Sequence, residues 1–219
     1  MAHVSGEQDV VVGEPRWHMA SAVVAAIVLT ILMPDDVQLG PDWLLPVVEG
    51  ALLVAIIASD PGTIDRPLRV LGIGLVSVLV LGALWATVLL TTHLINGGSE
   101  THSADALLSA GSTVWASNII AFALLYWELD GGGSAARAQG LSEHPDLAFP
   151  QQLSPPVAPE EWRPRFFDYL YLGFTNATAF SPTDAMPVAL WAKAAMALQA
   201  LISLVILGLV VARAVNVFA

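Results

Sequence analysis

From Val70 to Ile95 the chain carries no Asp, Glu, Lys or Arg. Such a run leaves little choice of fold. About 20 apolar residues cross the roughly 30 Å hydrocarbon core of a bilayer. Lipid offers no partners for backbone amides, so a crossing segment satisfies its own as a helix. Comparable runs lie at about 17–33, 43–59, 68–95, 104–128 and 187–215, with a shorter one at 166–180. Each is bounded by polar residues, glycine or proline. The composition agrees, with 56% hydrophobic and 12% charged residues against about a quarter charged in soluble domains. The expected fold is all-α: a polytopic transmembrane helical bundle of one domain, with five full spans plus one short or re-entrant helix. Its expected surroundings are a bacterial inner membrane, and its first partner is the lipid bilayer.

The N-terminal segment is polar and acidic, and the first apolar run ends in Leu32-Met33-Pro34-Asp35. A secretory signal has a basic start and a small-residue cleavage site, so this run is expected to be a retained span. The net charge of −11 reflects only eight basic residues. With no basic patch to neutralise phosphates, nucleic acid is not an expected partner. The absence of cysteine removes disulfides and thiolate metal sites. Residues 129–162 form the one long linker, opening on three glycines and holding five prolines. It is expected to lie extended on the membrane surface. Trp17, Trp43, Trp127, Trp162 and Trp191 fall near segment ends, as interfacial anchors do.

Arginines set the expected topology. Arg16, Arg66, Arg69, Arg137, Arg163, Arg165 and Arg213 flank alternate ends of the spans, while 34–42 and 96–105 have none. Six crossings put every arginine on the cytoplasmic side; a re-entrant short segment moves only Arg213 outside. The pattern favours six. It also predicts that Glu128 or Asp130 pairs with Arg163 or Arg165 on the inner face.

Within 166–180, Asp168, Tyr171, Thr175 and Thr178 recur at helical spacing, with Asn176 one step round. Such a stripe faces protein or water, as hydrogen-bonded packing or as the wall of an aqueous cavity. Glu49 and Lys193 lie inside apolar runs, where a lone charge costs about 2.5–3.5 kcal/mol on insertion scales. They read either as a structural pair or as a proton or ion relay. Ala192, Ala195, Gln199 and Ser203 form a small and polar seam on the last span, and Gly111, Trp115 and Asn118 a similar one on the fourth. His93, Glu100, His102 and Asp105 cluster without the spacing of a metal site and read as solvated loop residues. No nucleophile elbow, phosphate loop or HExxH occurs, so neither an enzyme nor a cofactor is expected.

The run YLYLGFTNATAFSPTDAMP resembles the pore helix, filter and filter exit of potassium channels, and ALWAKAAMALQALISLVILGLVVARAVN resembles their inner helix. The likeness covers about a quarter of the chain. Where those channels carry TVGYG, this chain has Ala179, Phe180, Ser181, Pro182 and Thr183 after Thr178, and Asp184 follows. Both filter glycines are absent, so potassium selectivity is not implied. Ser181-Pro182-Thr183-Asp184 also fits a helix N-cap, with proline at the first position and an acid at the third. The WELDGGG turn, the proline-rich linker and the FFDYLYLGFTNATAFSPTD run together resemble an uncharacterised family of bacterial integral membrane proteins. That resemblance carries no activity.

The first expectation for function is a channel-like protein in which 166–184 lines an ion or small-solute path, assembled as a homo-oligomer. The alternatives are a small proton-coupled carrier working through Glu49, Lys193 and Asp168, and a structural or regulatory membrane protein without transport.

Overall fold

The computed structural model describes residues 17–34, 38, 40–58, 66–97, 103–153, 162–178 and 185–218. Two helices open the chain, α1 (Trp17–Leu32) and α2 (Leu44–Ala58). Two longer ones follow, α3 (Arg66–Asn96) and α4 (Ala104–Leu129), the latter capped by Ser103, whose Oγ accepts the Ala106 amide. Three stretches are long and apolar enough to cross a membrane: Arg69–Asn96, Asp105–Gly132 and Leu190–Arg213. At 16 and 15 residues, α1 and α2 reach only about 24 and 22 Å at 1.5 Å per residue. Over the described residues they do not establish the full spans expected at 17–33 and 43–59.

Contacts between helices fix their directions. Glu128, near the end of α4, lies over Gly72, near the start of α3, so those two helices are antiparallel. The end of the bundle where α3 starts and α4 finishes carries Arg66, Arg69 and Arg137, and is called the arginine end below. α1 and α2 meet through Thr30 and Glu49, with their connection toward the opposite end.

The linker is not extended over its described part. After α4 a 3₁₀ turn, Asp130–Gly132, leads into α5 (Ser134–Ala138), β1 (Leu147–Ala148) and α6 (Pro150–Leu153). Gly131, Gly132 and Gly133 all take positive φ, a backbone open to glycine at no steric cost. The turn lets buried Asp130 face back along the chain. Its Oδ1 accepts the amides of Asp146 and Leu147, each at 3.0 Å, and its Oδ2 accepts the Tyr169 hydroxyl at 2.5 Å. Asp146 returns the contact, its Oδ2 accepting the Gly131 amide at 3.0 Å. The ion pairs expected on this face therefore do not form as read. Asp130 is occupied by amides and a phenol, and Arg163 donates to the Arg137 and Ala138 carbonyls at the C-terminus of α5. The cations acting on Glu128 are Arg69 and Arg137.

The last part consists of α7 (Phe166–Thr178), β2 (Met186–Pro187) and α8 (Leu190–Phe218). α7 starts at the arginine end, where Tyr169 meets Asp130. It finishes inside the bundle, where the Ala177 carbonyl accepts Trp115 Nε1 near the middle of α4. Yet α8 also starts at the arginine end. β2 pairs antiparallel with β1, and the Val188 and Ala189 amides donate to the Asp146 carbonyl at 2.8 and 3.2 Å. This overturns the count of six crossings. Thirteen helical residues extend about 20 Å, too short to cross, and the chain is back at its starting end when α8 begins. Arg213 consequently lies toward the far end.

The core lies between α4 and its neighbours. Phe122, Leu124 and Tyr126 of α4 and Tyr169 and Leu172 of α7 are fully or almost fully buried. Trp127 is also buried, edge-on to Phe166 at 6.3 Å, so it is a core residue and not an interfacial anchor. Trp17 and Trp43 are exposed, as anchors are.

Candidate functional site

The α7 hairpin gathers five of the polar residues singled out in the sequence. Asp168 closes the first turn: its Oδ2 accepts the Arg165 amide at 2.7 Å, and its own amide donates to the Arg165 carbonyl at 2.9 Å. The Thr175 hydroxyl donates to the Tyr171 or Leu172 carbonyl, and that of Thr178 to the Thr175 carbonyl. Hydroxyls bonded to their own helix keep lone pairs for a second partner. Asp168, Tyr171 and Thr175 line one cavity of about 70 Å³, together with Phe149, Gln151 and Ala185. That volume holds about two waters. Gln151 Oε1 is buried without a hydrogen-bond partner.

Asn176 belongs to a different face. Its Nδ2 donates to Gln199 Oε1 at 2.8 Å and to the Met196 carbonyl at 2.9 Å. Gln199, fully buried, joins three helices. Its Oε1 also accepts the Tyr126 hydroxyl at 2.7 Å, and its Nε2 donates to the Gly173 carbonyl at 2.9 Å. One helical turn further along α8, Ser203 accepts from Asn118 at 2.9 Å. The approach of α7 requires Gly173, since a Cβ there would stand 3.1 Å from the Ile119 carbonyl oxygen. This network holds the half-helix in place and is not part of the cavity wall.

The intramembrane charges are not a pair. Glu49 is buried among α1 to α4, with Oε1 accepting the Thr30 hydroxyl at 2.7 Å. Lys193 is exposed in the first turn of α8. The pairing assumed that both helices enter from one side, whereas α2 and α8 start at opposite ends. Asp168 is a third, separate location. Ser181, Thr183 and Asp184, together with the proposed N-cap, lie outside the described residues, as do Glu100 and His102.

Sequence reasoning missed Asp146, Gln151, Ser117 and Thr30, and gave Asp130 an arginine partner in place of the two amides and the phenol that it binds. For Asp130 a signal existed: an acid directly before three glycines, at a helix C-terminus where the dipole disfavours it, implies a backbone turned to satisfy it. A scan against protein-family models, a search of curated proteins and a search of solved structures each find no match to this chain.

Proposed function

We propose that the chain is a multi-pass integral membrane protein of channel-like design, whose 166–184 segment is re-entrant and lines a path for monovalent cations. The observation that carries this reading is the shared starting end of α7 and α8, with the C-terminus of α7 inside the bundle. A half-helix ending there directs the negative end of its dipole into the bundle, and this favours a cation. The polar stripe supports the same reading, because Asp168, Tyr171 and Thr175 share a cavity large enough for water. The arginine end is cytoplasmic by the excess of basic residues in its connections, so the hairpin enters from inside. Selectivity for potassium is not part of the proposal, because the positions after Thr178 lack the glycines that turn carbonyls inward.

A carrier working jointly through Glu49, Lys193 and Asp168 is less well supported, since the three residues sit in three places. The test is purified protein in liposomes under a cation gradient. Flux above empty vesicles, with little preference for potassium over sodium, is expected. No flux removes the channel reading and leaves a structural or regulatory role, whereas strong potassium preference removes the argument from the missing glycines.

A further inference from the structure

A second cavity lies away from the α7 hairpin, between α1, α2, α3 and α4. It measures about 30 Å³ and is lined by Thr30, Glu49 and Ser117 among apolar side chains. That is the volume of about one water molecule. Glu49 is only 3% exposed. Thr30 Oγ1 donates to its Oε1 at 2.7 Å and so fixes the carboxyl group, but Oε2 is buried without a partner. Ser117 Oγ, from a residue lining the same cavity, is also buried without a partner. Both oxygens belong to residues lining one small cavity, and the serine hydroxyl can either donate to a carboxylate or accept from a carboxylic acid.

The surroundings decide which of the two forms Glu49 takes. The lining residues from α1, α3 and α4 are alanine, glycine, leucine, methionine, threonine and serine, and α2 adds only Leu45 beside Glu49. Glu49 is the one titratable group among them, so among the described residues no lysine, arginine or histidine lining the cavity offsets a charge there. A carboxylate buried without a counter-charge is expensive, and a proton removes that charge. The proton also turns Oε2 into a donor, which Ser117 Oγ accepts directly or through the single water the cavity holds. A sodium ion would need several more oxygen ligands than these three side chains provide. We propose that Glu49, positioned by Thr30 and facing Ser117, is a proton-binding site within the α1–α4 bundle. It exchanges with the end opposite the arginines. Glu49 lies five residues into α2, about 7–8 Å along the axis, and Met33 and Leu45 are among the residues lining its cavity.

The site shares no residue with the α7 hairpin, and neither reading depends on the other. The test is infrared difference spectroscopy of the full chain in lipid vesicles, titrated with acid and base. A carboxylic-acid C=O band that disappears as pH rises is expected, and Glu49→Gln should lose it. Ser117→Ala, which leaves the carboxyl in place, should move the band to higher frequency by removing its acceptor, while Ser112→Ala on the exposed face of α4 should not. If Glu49→Gln fails to fold, the serine pair still decides the matter. No titrating band, or a band equally insensitive to both serine variants, overturns the proposal. A band abolished by sodium at constant pH overturns it in favour of a metal-cation site.

Discussion

Gln199 makes three hydrogen bonds with one buried amide, reaching Tyr126 on α4 and Gly173 and Asn176 on α7. Interhelical hydrogen bonds in membranes contribute about 0.6–2 kcal/mol each, so Gln199→Leu should destabilise the protein by about 2–6 kcal/mol. Ser203→Ala, which removes only the bond from Asn118, should cost about 1 kcal/mol. Unfolding the two variants from mild detergent checks both values; a leucine variant no less stable than the serine variant would show that Gln199 does not hold the hairpin. This seam was legible in the sequence, because Ala192, Ala195, Gln199 and Ser203 recur at helical spacing; Ala192, Gln199 and Ser203 are buried and Ala195 is half-buried. Asp130 was not legible in the same way. Its partners lie 16, 17 and 39 residues away, beyond the reach of any local periodicity.

Among the elements, α7 is the one whose role depends on direction. Its short apolar run fixed a length of about one half-crossing, but length alone does not say whether the chain continues or returns. Charge counting gave the wrong answer because a single residue, Arg213, carried the vote. The return is fixed by contacts invisible to composition, the pairing of β1 with β2 and the donation of Val188 and Ala189 to Asp146. The helical fold was legible from apolar runs, three of which carry helices long and apolar enough to cross a membrane. Topology is directly measurable, because the chain has no cysteine and every introduced thiol is unique. Cysteines at Leu153 and Val188, both exposed, should react with a membrane-impermeant reagent from the same side, and one at Ile95 from the other. Labelling of Val188 from the Ile95 side would restore six crossings and remove the hairpin.

At the scale of the whole molecule, a single copy leaves the proposed path open on one side. The outer face of α7 shows Phe167, Tyr171 and Phe174 at 67%, 57% and 47% exposure. The α8 residues Leu201 and Leu204 are exposed as well. Lipid accepts phenylalanine and leucine, but the tyrosine and the neighbouring Asp168 and Thr175 are better satisfied by protein or water. A re-entrant half-helix on the rim of one bundle encloses a path only when copies arrange their rims around an axis, and closed cyclic symmetry is the common solution. A cysteine at Phe174 should therefore form a disulfide between copies under mild oxidation in vesicles. A cysteine at Leu81, equally open on α3 at 60% exposure, should stay reduced, because α3 lies away from the hairpin's outer face. Disulfide formation at both positions in proportion to protein density would indicate random collision. A protein that runs as a monomer and forms no disulfide at Phe174 would leave the hairpin facing lipid, and the path between copies would have to be abandoned.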